Sequence, residues 1–270
     1  MESALIRALP DHLNAEIVSG TITTLDEACT WLSYTYLYVR MRKSPVAYGM
    51  ALETVYDDPQ LLVNRRLQRT RRLSNIHMVE TGEGNVAFGV TPLGRVASHF
   101  YLSHRSIARF HEHLDRCGPH ASMDWDHVLW MVCSSTEFDQ LQVRDDEVPE
   151  LEQLARTCGR IAVRGGGLAT SEGKTNVLLQ SILSCARIAS FTLVYDANYV
   201  AQNGARIARA LFELSLKQHH ALRAEKFLNA CEIHRAQDMV RRESGLAGRA
   251  HASAARCQRL FTMDGAAPAP

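Results

Sequence analysis

From Arg95 to Lys217 apolar residues recur every three or four positions, and the two-residue alternation of a half-buried strand is nearly absent. Such stripes are buried most readily helix against helix, so this half of the chain is expected to form a helical bundle. The spacing predicts helices over residues 94–101, 106–116, 125–134, 148–158, 174–186 and 199–217, with Gly165-Gly-Gly167 marking a loop between the fourth and fifth.

The first hundred residues read differently. Thr24-Leu-Asp-Glu27 has the pattern of a capping box, in which hydroxyl and carboxylate satisfy the free amides of a helix start. Ala28, Trp31, Leu32, Thr35, Tyr38 and Val39 follow at helical spacing, and Pro45 stands just past the expected end of that helix. A second helix is expected over residues 59–76. Residues 78–90 hold two short apolar runs around a glycine-rich turn, the signature of a β-hairpin. Helices followed by a two-stranded wing make a winged-helix domain the natural reading. The expected fold is therefore mainly α: a winged-helix domain with a small β-hairpin wing over 1–100, a helical bundle over 101–235, and a tail over 236–270. From 245 onward the chain is rich in Ala, Gly, Arg and Pro, which predicts disorder.

Composition narrows the function classes. The net charge of the 270 residues is +1, so nucleic-acid affinity would have to reside in a local patch. Seven cysteines at 29, 117, 133, 158, 185, 231 and 257 form no C-x-x-C pair, which suits a reducing, intracellular setting. No apolar run approaches the roughly 20 residues that span a bilayer, and no membrane partner is expected. Glu2, Arg7 and Asp11 interrupt the N-terminal apolar stretch, unlike a secretory signal.

The motifs that suggest catalysis do not survive their spacing. Gly173-Lys-Thr175 follows a glycine cluster, but a phosphate cradle needs G-x-x-x-x-G-K-[ST], and the first glycine position holds Leu168. No acidic residue at the end of a second apolar strand offers itself for magnesium. The expected reading is a loop feeding a helix, with no cofactor and no enzymatic activity in this chain. His111 and His113 lie about 200° apart on a helix, so with Cys117 and His120 they make a poor zinc site. Nothing marks an activating partner for the Cys133 thiol.

Two basic features remain. Arg65, Arg66, Arg69, Arg71 and Arg72 form a run without acids, and Arg65, Arg69 and Arg72 share one helical face. The face could lie against a nucleic-acid backbone or stand in solvent. In residues 199–217, Gln202, Arg206 and Arg209 recur at spacings of four and three, bordered by Asn203, while Val200, Ile207, Ala208, Leu211 and Leu214 form a packing arc. An apolar back with an Arg/Gln front suits contact with a single strand, and it equally suits an ordinary exposed face. Residues 137–152, with seven acids and one Arg, are expected to face away from phosphate.

Several segments resemble one family in order along the chain. Residues 13–21, residues 31–41 with Pro45 and Tyr48-Gly49, and residues 93–101 are similar to the winged helix, and its exit, of superfamily 2 helicases of the spliceosomal unwinding type. Glu137-Phe138 and residues 143–147, 174–180 and 199–213 resemble successive parts of that family's Sec-sixty-three-homology bundle. The likeness runs from about Ser3 to Leu228. It implies that 199–217 is the "ratchet" helix beside the translocating strand, with Gln202, Asn203, Arg206 and Arg209 facing it. It also implies that the winged helix chiefly braces motor domains, so the Arg65–Arg72 run departs from the family. Implied partners are single-stranded RNA or DNA and the helicase motor domains or complex subunits; ATP would bind only to those motor domains. The implied setting is RNA processing or DNA repair, in the nucleus and/or cytoplasm. The family carries two motor domains before this region and further domains after it, so the chain is expected to be a portion of such a helicase or a free-standing accessory protein. A protein-docking module without strand contact is the alternative expectation.

Overall fold

A computed structural model describes residues 2–48, 79–81, 87–116, 123–158, 167–184 and 186–244, with side chains for all of these except 79–81 and 233–244. The chain divides into two compact units, Met1–His111 and Glu112–Pro270. The predicted helix over 59–76 and the Arg65–Arg72 run lie outside the described residues, as do Cys117, His120 and the tail from 245.

In the first unit, helix α1 (Leu5–Ser19) buries Leu9, Leu13 and Ile17 and carries Pro10 within it. It stops at Gly20, whose φ of 79° is a left-handed conformation open to glycine. Helix α2 (Leu25–Ser33) begins on the expected capping box, with the Thr24 side chain and Glu27 backbone, and the Glu27 side chain and Thr24 backbone, paired reciprocally. The single helix expected after Thr24 is in fact two. Thr35 turns extended, its hydroxyl donates to the Leu32 carbonyl at 2.7 Å, and its oxygen accepts from the Tyr38 amide to start α3 (Tyr36–Lys43). The break re-phases the core: Leu37 and Met41 are buried, whereas Val39 is exposed. A short 3-10 turn (Pro45–Tyr48) follows.

Strands β1 (Val79–Thr81) and β2 (Phe88–Val90) pair antiparallel, with Val79 opposite Val90 and Thr81 opposite Phe88. The turn of the expected hairpin lies outside the described residues. Helix α4 (Pro92–His99) is capped by the Thr91 side chain, which accepts from the Gly94 amide, and opens on Pro at its first turn. Buried Asn14 donates to the Gly94 carbonyl at 3.0 Å and ties α4 to α1. Helix α5 (His104–Arg116) starts under Asp11, whose carboxylate accepts from the His104 amide at 2.6 Å.

In the second unit, α6 (Trp125–Cys133), a 3-10 turn (Thr136–Phe138), α7 (Val148–Cys158), α8 (Ser171–Leu183), α9 (Phe191–Lys217) and α10 (Ala221–Ser244) form the expected bundle. Helix α8 is its centre: every residue from Gly173 to Ile182 is buried, and it packs on α6, α7, α9 and α10. Helix α9 begins eight positions before the sequence spacing indicates, and α10 continues past Arg235, where apolar periodicity fades. Buried Arg223 donates to the Leu114 carbonyl at 3.0 Å, satisfying an acceptor in the last turn of α5. None of the described helices is long and apolar enough to cross a membrane.

Candidate nucleic-acid interface

Helix α9 runs for 27 residues, and its burial follows the predicted arc: Val200, Gly204, Ile207, Ala208, Leu211 and Leu214 are all turned into the bundle. At Gly204 the Leu179 and Val132 side chains stand 3.6 and 3.9 Å from the position a Cβ would take, which leaves room for a methyl. On the opposite face Gln202 and Arg209 are exposed and Asn203 and Arg206 half-buried. The same line continues toward the helix start through Asn198, Tyr195 and Phe191, all exposed. At 100° per residue, positions 191, 195, 198, 202, 206 and 209 fall within about 40° of one direction.

The front is internally organised. Asn203 donates its amide to the Tyr199 carbonyl at 2.9 Å, and its oxygen accepts from the Arg206 guanidinium at 2.7 Å. Asn203 thus aims Arg206 rather than presenting its own polar groups. Arg209 lies near Cys231 on α10, whose thiol burial pushes up to about 11 against the opposing pull of that guanidinium. Glu213, half-buried, is the acid that follows on this line.

The near-miss phosphate loop has a structural explanation. A Cβ on Gly173 would meet the Gly167 carbonyl oxygen at 2.0 Å, so glycine is required where the loop folds onto the start of α8. Lys174 does not reach solvent. Its ammonium is fully buried and donates to Glu147 at 2.6 Å and the Gln142 carbonyl at 3.0 Å, and it pairs with Asp196 at 2.7 Å. The Thr175 hydroxyl donates to the Ser171 carbonyl at 2.7 Å. All three motif residues serve the fold.

Two members of the acidic segment expected to face away from phosphate are turned inward to other groups of the chain. Glu147 is buried; desolvation pushes its carboxyl up, but hydrogen bonds from Lys174 and Thr192 outweigh that and hold it below the usual carboxylate range. Half-buried Glu150 accepts from the Ala189 and Ser190 amides at the start of α9. The Lys174–Glu147–Asp196 cluster escaped sequence reasoning because its members lie on three segments far apart in the chain. Lys174 gave no local signal, because Thr175, Asn176, Gln180 and Ser181 make the helix look polar in sequence although all are buried. Of the other rejected candidates, His113 packs edge-on against Trp130 at 4.1 Å, and burial pushes the Cys133 thiol up, away from the reactive thiolate.

Comparison with known proteins agrees with this architecture. Residues 90–240 match the Sec63 Brl domain family, and residues 2–79 match the "Winged Helix-turn-helix domain" family. The chain is 42% identical over 221 residues to the DExH-box ATP-dependent RNA helicase DExH14 of Arabidopsis thaliana, covering 81% of this chain and 10% of that protein. It is 39% identical over 236 residues to human activating signal cointegrator 1 complex subunit 3, covering 86% of this chain and 10% of that protein. It is 40% identical over 235 residues to the RQC trigger complex helicase SLH1 of Saccharomyces cerevisiae, covering 86% and 12%. The chain thus spans about a tenth of the length of these relatives. With more than half of its residues matched by one family, the chain belongs to the Sec63 Brl domain family, in the winged-helix and Brl region of DExH-type helicases.

Proposed function

We propose that this chain is the winged-helix and Brl portion of a superfamily 2 helicase, and that its α9 helix forms one wall of the channel for a single strand of RNA or DNA. The observation that carries this reading is the exposed line on α9, with Gln202 and Arg209 outermost and Arg206 held in place by Asn203. Guanidinium groups can pair with phosphate or stack on bases without reading sequence, and Tyr195 and Phe191 add aromatic rings to the same line. In this role the chain carries no ATPase motor. Binding and guiding the strand are its part, and ATP acts on motor domains elsewhere in the helicase.

The first unit has a second role in the same assembly. Tyr34, Tyr36, Val39 and Val46 are exposed around α2, α3 and the following turn, which suits docking against the motor domains or a complex subunit. Strands β1 and β2 would be the wing of this winged helix, and Arg65, Arg69 and Arg72 would add a second contact to the backbone of the nucleic acid.

A labelled single-stranded oligonucleotide, as RNA and as DNA, should bind the chain with an affinity that falls steeply with salt. Each arginine contact is worth about 1 kcal/mol after discounting for exposure, so Arg206→Ala with Arg209→Ala should weaken binding by tenfold or more, about thirtyfold if the two add, and flatten the salt dependence. Arg156→Ala is the control, since Arg156 is exposed on α7 beside Glu152. Equal losses in the control and the double variant would refute the reading, and salt-independent binding would favour docking alone.

A further inference from the structure

We infer that the acidic segment from Glu137 to Glu150 is a brace that sets the rotational position of α9, acting through the buried Lys174–Glu147–Asp196 cluster. The inference deepens the strand-contact reading and rests on it for its functional consequence.

The hydrophobic effect is non-directional, so apolar burial specifies which face of a helix is inward less sharply than a paired buried charge does. Half of the buried apolar positions of α9 are small, Ala197, Ala201, Gly204, Ala208 and Ala210, and half are bulky, Leu193, Val200, Ile207, Leu211 and Leu214. Asp196 is different. It lies about 120° around the helix from Gln202, and its carboxylate stands 2.7 Å from a lysine with no access to solvent. Turning α9 by one position would strand a buried carboxylate and leave Lys174 with Glu147 alone. An uncompensated buried charge is strongly unfavourable, so the cluster adds a directional penalty to the loss of apolar burial.

Three further contacts act on the same three turns of α9. Glu150 accepts from the Ala189 and Ser190 amides at 2.6 and 3.0 Å, where the N-cap Ser190 makes no capping bond of its own. Thr192 bonds to Glu147. The Tyr199 hydroxyl donates to the Glu137 carbonyl at 3.1 Å, and its ring meets Phe138 edge-on at 6.2 Å. Tyr199 in turn holds Asn203, and Asn203 holds Arg206. The brace and the strand-facing guanidinium are therefore joined by a continuous path of contacts.

The test replaces the cluster as a whole, because removing one member would leave an unpaired buried charge. In the full chain, Glu147→Leu, Lys174→Met and Asp196→Leu together should keep the thermal midpoint, since apolar replacement of buried ion pairs is often neutral or stabilising. Hydrogen exchange over 191–203 should nonetheless accelerate about tenfold, and affinity for a labelled uridine 20-mer should drop about tenfold. In the Arg206→Ala, Arg209→Ala background the same triple change should cost no further affinity, because the brace acts through those arginines. Glu150→Gln, which leaves the buried cluster intact, should give a smaller change in the same direction. Unchanged exchange over 191–203, or affinity losses that add fully in the combined variant, would overturn the brace. If the arginine changes alone leave affinity unaltered, the strand reading fails, and exchange over 191–203 still decides whether the brace holds α9.

Discussion

At the scale of single residues, two glycines that both lie within helices make opposite predictions. Gly173→Ala would drive a methyl to 2.0 Å from a backbone oxygen, so the α8 start must shift. A loss of about 2–3 kcal/mol is expected, at the upper end of overpacking penalties, read as a lower urea midpoint. Gly204→Ala meets its nearest neighbour at 3.6 Å and replaces a helix-interior glycine, so it should stabilise by up to about 1 kcal/mol. The pH dependence of the Glu147 carboxyl has a definite sign. Its folded value is depressed, so its contribution is fully present above the ordinary 4.5 and is lost as pH falls below it. Urea midpoints measured from pH 7 to pH 3 should therefore decline more steeply in the unmodified chain than in the apolar triple variant. Parallel curves would show that Glu147 is not held down by Lys174.

At the scale of elements, sequence reading succeeded where one physical rule acted alone. The α2 start was legible because Thr24 and Glu27 sit at the spacing a capping box requires, and α7 was legible because its apolar stripe is uninterrupted by competing signals. The bulky apolar back of α9 followed from period alone. Where two rules compete, local pattern misleads. Thr35 looked like a member of an apolar stripe, but its hydroxyl bonds the Leu32 carbonyl and breaks the helix. Thus Leu37→Ala should cost about 2–5 kcal/mol, the range for a buried leucine, while Val39→Ala should cost little. The reverse order in thermal midpoints would restore the single helix. Residues 191–198 were missed because exposed Phe191 and Tyr195 blur the apolar face, and α10 because its later turns are rich in charge. The buried ionic cluster was illegible for a different reason: Gln142, Glu147, Lys174 and Asp196 meet only after three segments have packed.

At the scale of the whole molecule, a chain with a net charge of +1 can grip nucleic acid only through local arrangement. In the second unit Glu147 is turned onto Lys174 and Glu150 onto the α9 amides, while Gln202 and Arg209 are left outward. That partition is the central claim, and proximity tests it more directly than affinity. A photoreactive benzoylphenylalanine placed at Gln202, with the same group at the exposed Gln153 of α7 as control, should be irradiated with a labelled single strand bound. The account predicts a crosslink from position 202 that disappears at high salt, and none from position 153. Crosslinking from 153 equal to that from 202, or none from 202 while the strand is bound, would contradict it.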